Sequence, residues 1–494
     1  MQNPLLLMFT ILLISLPIVY IIGKKNIKAA GIIIALVCVI NIGLLSTIIP
    51  TILDPATGYR HVETYYWIPP LGAYFSLFVD GISLPLVIIT LLLILAVAVF
   101  SIDSFQNKKS PAEYFALLVI LSIGLLGIFT TSNLLFFYFC WELVLVPSYF
   151  IIGEWGYGKP YKAALKFVIF THAGAVLVLL SIGLLFIVTG QLDIFLIQPA
   201  LLLVPSSLVL WILILLTLGF LVKMAIVPFH MWLPDAYSEA PAPMSALLSG
   251  SIAAAGAYAI LRLILDMVLP AILSTVFAVY FLQVMALLGV ITALFGALIA
   301  LGENDIKRIL AYSSISQLGY ILFGLSLFPN QIAMTGTVLH LVNHTASKAL
   351  FFLSAGAIIH QIKTRNIRQL GGLSGQMPVT ATSTVTAGLS IAAIPPFACF
   401  ISEFLIFTGG FQVATSNIFY LVMITLLLIA TLVSLAYVLR YFNQVIFGSE
   451  VVKDRKLAPF FMRCALIILT ILVIVLGIGF KFFIDIIGTA TFGG

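Results

Sequence analysis

Charge is what this 494-residue sequence has least of: Asp, Glu, Lys and Arg together make up 8% of it, where a water-soluble domain carries about 25%. Hydrophobic residues reach 62%, and the mean hydropathy is +1.23. A soluble domain is excluded, and a polytopic membrane protein is required. Cysteine is also sparse, and Cys38, Cys140, Cys399 and Cys464 all lie in or beside apolar runs without paired spacing. No Cys-x-x-Cys-like run offers itself to an iron–sulfur cluster. No glycine-rich nucleotide fingerprint and no haem-type histidine pair stand out, and the ligands of a tetrahedral zinc cannot be assembled. The chain is expected to carry no cofactor, metal or redox centre of its own. Its net charge of +6 does not imply nucleic-acid binding, because the basic residues fall in short loops. A small-x-small cleavage site is missing as well, so residues 4–22 read as a retained first span.

At about 20 apolar residues per crossing, the sequence divides into fourteen spans. They cover residues 4–22, 29–49, 74–101, 114–130, 134–153, 164–188, 208–228, 245–264, 276–301, 309–327, 335–359, 380–409, 418–442 and 464–487. Charge tests the count. With the N-terminus outside, the odd-numbered loops and their flanks hold 18 of the 23 basic residues, including Lys453, Arg455 and Lys456. Only Arg60, Arg262 and Lys481 fall on the far side, while Lys223 and Lys348 sit within spans. Inner loops carry the Lys/Arg excess, so both termini are expected outside. The expected fold is an all-α polytopic membrane protein forming one domain, 1–494. Within it, 1–110 holds three helices, 111–265 a first five-helix repeat, 276–445 a second, inverted one, and 462–490 a last helix.

The stretch from Phe220 to Gly250 organises the rest. Lys223 puts an ammonium at bilayer depth, where a lone cation costs roughly 2.5–3.5 kcal/mol on insertion scales. Pro228 then removes a helical hydrogen bond. Non-helical backbone at that depth survives only inside protein or beside a hydrated cavity. A second proline break, Pro395-Pro396 followed by Glu403, lies five spans later. Paired broken helices 7 and 12 point to an inverted repeat with the ion path near its interface.

The other intramembrane polar residues can be asked how they serve that path. Glu142, inside an apolar helix, is expected to pair with Lys223 and tune its proton affinity, or to form a static salt bridge. Lys223 either carries a proton, as a buried lysine can, or snorkels to the surface. His340, His344 and Lys348 recur at every fourth residue and share one helix face, a stripe of roughly 12 Å. They can relay protons, or bond statically to backbone. Glu403 offers an acidic terminus. Secondary candidates are His172, His230, Asp80, Ser313, Ser316, Gln317 and Tyr320, each also readable as a packing group. Asp235 and Glu239 read as caps or a funnel mouth.

Four stretches carry a resemblance. They are Trp141-Glu142-Leu143, residues 221–235 with Glu239-Ala240-Pro241, residues 305–320, and residues 340–352. Together they resemble the antiporter-like subunits of respiratory complex I, a family that includes Mrp-type cation/proton antiporter subunits and the membrane arms of energy-converting hydrogenases. The likeness covers nearly the whole chain and is greatest to the subunit M branch, which Glu403 matches. By that resemblance, Glu142 and Lys223 match the family's glutamate–lysine pair, His230 its histidine after the break, and Glu403 its terminal carboxylate. The resemblance implies a proton-translocating subunit of a redox-driven, NADH:quinone oxidoreductase-type pump. Flavin, iron–sulfur clusters and a quinone-like acceptor would belong to other subunits. Partners would be L-, N-, K- and H-type membrane subunits, a peripheral redox arm and lipids, in a plasma or other energy-transducing membrane. Two departures matter. The family's central lysine falls on Ala254, and Lys348 resembles the L, N and antiporter branches. Lys348, or a water chain past Ser251 and Gly256, is expected to fill the gap. A sodium/proton antiporter subunit or a hydrogenase-linked module is the alternative, and a transport-dead scaffold is the third reading.

Overall fold

The computed structural model of the protein describes residues 3–69, 73–106, 108–448, 457–490 and 492. Lys453, Arg455 and Lys456 of the charge count lie outside the described residues. Among them, eleven helices are long and apolar enough to cross a membrane. Each expected span overlaps helix over part of its length. The helices Ile306–Leu325 and Gln331–Ile362, at the tenth and eleventh positions, fall short of that apolarity because of the Ser, Gln, His and Lys side chains they enclose. The twelfth is divided into Pro378–Ile391 and Ala398–Ala414.

The helices begin where short polar side chains can take orphaned N–H groups. Asn133 accepts from Leu135 and Phe136, Asp305 from Lys307 and Arg308, and Asn330 from Ala333. Each such cap is worth about 1 kcal/mol. Packing then sorts the helices by polarity. Ala242–Asp266 is wholly enclosed, whereas Pro4–Gly23 and Pro160–Thr189 leave broad apolar faces such as Leu13, Ile21, Ile169 and Ile187 outside. Lipid tails suit those faces, while the polar helices need one another.

One segment departs from expectation. The third span was expected from residue 74, but Ala73–Asp80 is a β-strand and the helix is Ser83–Ser104. The strand pairs antiparallel with Arg60–Ile68, from Arg60 opposite Asp80 to Ile68 opposite Ala73. Tyr74, Phe75, Phe78 and Val79 favour a pleated surface, and Tyr65–Phe75 and Tyr66–Tyr74 are ring pairs across it. A hydropathy window cannot distinguish such a strand from the start of a helix.

The two halves repeat three backbone devices. Before the helix Leu134–Trp155, Leu134 N–H donates to Leu192 C=O and Ile194 N–H to Ser132 C=O. Before Ile306–Leu325, Ile306 N–H donates to Arg365 C=O and Ile367 N–H to Asn304 C=O. At the first break Ala225 takes φ +53°, Ala225 N–H bonds Val222 C=O and Ile226 N–H bonds Leu221 C=O. At the second, Ala393 takes φ +52°, its N–H bonds Ser390 C=O and Ile394 N–H bonds Leu389 C=O. Those left-handed alanines end each half-helix and return its last carbonyls to the backbone.

Candidate functional site

Lys223 ends the helix Ser206–Lys223, and the chain resumes as a short turn at Phe229–Trp232. Side chains satisfy the loosened backbone. Trp232 Nε1 donates to Val222 C=O at 3.0 Å, and Val227 N–H donates to Thr292 Oγ1 at 3.1 Å. Lys223 is 3% exposed, which excludes snorkelling. Its ammonium lies 4.9 Å from the centre of the Trp141 ring, a cation–π contact. Glu142, one residue further, stays within electrostatic range of Lys223 but does not close the expected ion pair. Its Oε2 instead faces His172 Nδ1 at 3.4 Å, and its Oε1 has no hydrogen-bond partner. His172, a secondary candidate in the sequence, is thus brought to the glutamate. His230 stacks edge-on against Phe295, with centroids 4.6 Å apart, and its Nδ1 is unpartnered.

The second cluster is sealed. His340, His344, Lys348 and Glu403 are all at most 2% exposed. The rings of His340 and His344 stand 6.2 Å apart along their shared helix, as the four-residue spacing expects. His340 holds Ser402 Oγ at 2.9 Å and Gln317 Oε1 at 2.8 Å. Lys348 Nζ donates to Ser313 Oγ and, at 3.4 Å, to Leu310 C=O. Pro395 and Pro396 set the helix Ala398–Ala414 so that Glu403 comes near Gln317 and Tyr320. Tyr320 bonds Thr431 Oγ1 at 2.8 Å. Tyr437, which sequence reasoning missed, stands near Ser313 and Ser434 and within electrostatic range of Glu403, without a hydrogen bond that closes the gap. Ser402 and Asn343 were missed too; Asn343 Nδ2 donates to Ala398 C=O at 2.6 Å.

Several polar atoms here have no protein partner. They are His344 Nε2, both oxygens of Glu403, Asn343 Oδ1 and the hydroxyls of Ser316, Ser434 and Tyr437. Buried polar atoms left unpaired by protein are the partners that internal water takes. Titratable and hydroxylic groups bridged in that way by water can pass a proton; a sealed cluster cannot admit a bulky organic substrate.

The remaining candidates form caps, ion pairs and interhelix hydrogen bonds. Asp80 caps Ile82 and Ser83 N–H and pairs with Arg262, which also reaches Asp266 at 3.3 Å. Asp235 pairs with Lys166 at 2.7 Å and Arg308 at 3.2 Å, and Glu239 with Arg365 at 3.1 Å. Ala254 is 2% exposed on the enclosed helix, and nearby Ser251 bonds Thr90 across to the third span at 2.9 Å.

Fold and site together define a multi-pass integral membrane protein whose interior carries broken helices and buried ionisable groups. Its relatives give the particular family. The family model described as NADH:quinone oxidoreductase/Mrp antiporter, transmembrane, matches residues 131–430, and the chain belongs to that family. It is 34% identical over 427 residues to NAD(P)H-quinone oxidoreductase chain 4 1 of Synechococcus sp. (strain JA-2-3B'a(2-13)), covering 85% of this chain and 78% of that one. It is 33% identical over 393 residues to NADH-quinone oxidoreductase subunit M of Rickettsia prowazekii (strain Madrid E), covering 79% and 77%. Among solved structures, an archaeal membrane-bound sulfane sulfur reductase complex contains a chain of the same fold, with TM-score 0.87 at 22% identity over 99% of this chain and 97% of that one. The Mrp complex of Dietzia sp. DQ12-45-1b contains another, with TM-score 0.81 at 22% identity, covering 98% and 96%.

Proposed function

We propose that this chain is the subunit-M-type, proton-translocating member of a complex-I-like pump driven by quinone reduction. The observation that carries the proposal is the burial of His344, Lys348 and Glu403 in one sealed cluster, with Lys348 on Ser313 and with unpaired polar atoms on His344, Tyr437 and Glu403 that bridging water can join. In this reading Glu142 exchanges His172 for Lys223 during turnover. Each pKa unit by which that exchange shifts Lys223 is worth about 1.4 kcal/mol. The lysine's charge then biases the second cluster, where the proton moves between Lys348, His344 and bridging water toward Glu403 and leaves on the outer side. His230 and His340 position water and Gln317. Lys348 supplies the central protonatable group that Ala254 does not.

The names of the relatives support a role within an NAD(P)H-quinone oxidoreductase complex. We place flavin, iron–sulfur clusters and a quinone-like acceptor in other subunits, and this chain beside L-, N-, K- and H-type neighbours and a peripheral arm. The matching bridges and breaks support two inverted repeats, 111–265 and 276–445, following three helices in 1–110 and preceding a last one in 462–490. The basic loops support both termini outside. Redox-driven proton uptake in membrane vesicles, measured with and without sodium, tests the proposal. Uptake that is sodium-independent and lost in Lys348→Ala is expected; uptake unchanged by that substitution refutes the relay.

A further inference from the structure

The relay above starts at mid-membrane and leaves open which group collects the proton from the inner side. One buried ammonium is still unassigned. Lys307, the second residue of Ile306–Leu325, is 0% exposed. Its Nζ donates to Ala240 C=O and stands 5.2 Å from the centre of the Tyr157 ring. Both nearby carboxylates are committed elsewhere. Asp305 Oδ2 accepts from Arg365 Nε at 2.9 Å and its Oδ1 accepts from the Lys307 backbone N–H at 2.8 Å. Glu239 Oε1 accepts from Arg365 Nη2 at 3.1 Å and its Oε2 accepts from Lys159 N–H at 2.9 Å. Lys307 thus shares both carboxylates with Arg365 and forms no direct ion pair with either, and a buried cation held so loosely is a poor choice for stability alone.

Its surroundings suggest a use. Tyr157 also lines a cavity of about 370 Å³ with Asp103, Lys108, Ala242, His360 and Lys363. These residues come from the Lys/Arg-rich loops and helix ends assigned to the inner side. Asp103 is not a free base there, because its Oδ2 accepts Phe461 N–H at 2.7 Å and Met462 N–H at 3.1 Å. In the other direction, Leu310 lies one turn beyond Lys307, and its carbonyl accepts from Lys348 Nζ. Lys307 therefore stands between an inner-side cavity and the central lysine.

We propose that Lys307 is the intake group of the relay, taking protons from water in the cavity beside Tyr157 and passing them toward Lys348. The transfer balances. An N–H bond of the Lys307 ammonium breaks as one forms on the neutral Lys348 amine through intervening water, and hydronium from the cavity then restores the ammonium. The inference rests on the relay reading of the preceding section. Its rival is a static cap, in which the cation only holds the carbonyl after the helix Leu233–Glu239.

The test uses the assembled complex in membrane vesicles, with electron transfer and complex abundance recorded beside proton uptake. Lys307→Ala is expected to keep assembly and to lower uptake per electron roughly 100-fold, the scale of a lost proton-transfer group. Added methylammonium, small enough for the cavity, should restore uptake, whereas tetramethylammonium, which has charge but no N–H, should not. Equal rescue by both, or normal uptake without either, overturns the proposal. If Lys307→Ala does not assemble, Lys307→Arg keeps the charge and the donors but does not release a proton. Assembly without uptake then supports the proposal, and normal uptake overturns it. Lys348→Ala run in parallel separates the two claims. Uptake lost there but intact in the Lys307 variants removes only the intake group; uptake intact there removes the relay itself.

Discussion

Beside the first break, where Lys223 itself is buried, two ionisable groups reach the surface of the chain: the Glu142 side chain is 25% exposed and that of His172 is 55% exposed. At the second, His344 is 1% exposed, Lys348 0% and Glu403 2%. The backbones of the two breaks are alike, down to alanines at φ +53° and +52°. Their environments are not. A carboxylate at the perimeter can respond to whatever packs against it, so the Glu142 partner choice is open to a neighbouring subunit. A sealed cluster feels such an event only through charge. Under the proposed function the first region receives the signal and the second moves the proton.

The largest effect that would break this division belongs to the sealed side. Lys348→Ala should lower proton uptake per electron by roughly 100-fold, the scale of losing a positioned proton carrier. If Glu142→Gln were the more damaging substitution, the roles of the two regions would be reversed. Glu142→Gln and Lys223→Ala should each give a smaller loss, about tenfold, since a bias near 1.4 kcal/mol corresponds to that factor. Combining them should add little, because both remove one interaction. No effect from either would leave the first region as scaffold. Tyr437→Phe should fall below both, with a loss of a few-fold, because water can replace one hydroxyl in a hydrated seam.

A stability measurement sharpens the comparison independently of transport. In the first half the helices Pro160–Thr189 and Ser206–Lys223 cross at Gly174 and Gly219, where a Cβ on Gly174 would meet Gly219 O at 2.9 Å. In the second half Val276–Gly302 and Ile306–Leu325 cross at Gly289, Gly296 and Gly319, where a Cβ on Gly319 would meet Ala293 N at 2.4 Å. The second crossing is the tighter. Gly319→Ala should lower stability by about 1–3 kcal/mol, and Gly174→Ala by less, read as thermal inactivation of the detergent-solubilised complex.

Much of this was legible before any coordinates. Lys223 followed by Pro228, and Pro395-Pro396 followed by Glu403, could be read directly because charge and proline within apolar runs demand an enclosed, hydrated setting. The histidine stripe followed from helical periodicity. What could not be read is where side chains turn once helices pack. Glu142 faces an unanticipated partner, since nothing local to residues 141–143 says that His172 will stand opposite. Tyr437 looks like any aromatic in an apolar helix, and only packing brings it near Ser313 and within range of Glu403. The strand Ala73–Asp80 was hidden because its apolar run continues into the next helix. Lys307 read as a loop cation until folding placed it at 0% exposure.

The smallest expected effect lies outside both breaks and serves as their control. Glu63, on the strand Arg60–Ile68, caps the first helix: its Oε1 accepts Leu5 N–H at 2.8 Å and its Oε2 accepts Leu6 N–H at 2.9 Å. Burial works against its charge, but His61, those two N–H groups and the Tyr65 hydroxyl outweigh it, and its pKa is lowered from the ordinary 4.5. A carboxylate whose folded pKa is depressed contributes stability that is complete above the ordinary value and is lost as pH falls through the folded one. Acid should therefore loosen the helix Pro4–Gly23 from the hairpin, seen as faster amide exchange at Leu5 and Leu6. Glu63→Gln should show the loosened rate at neutral pH and no further response to acid. Proton uptake should stay unchanged in that variant, because neither broken helix touches Glu63; a loss comparable to Glu142→Gln would tie the hairpin to the signal-receiving region and redraw the boundary between the two.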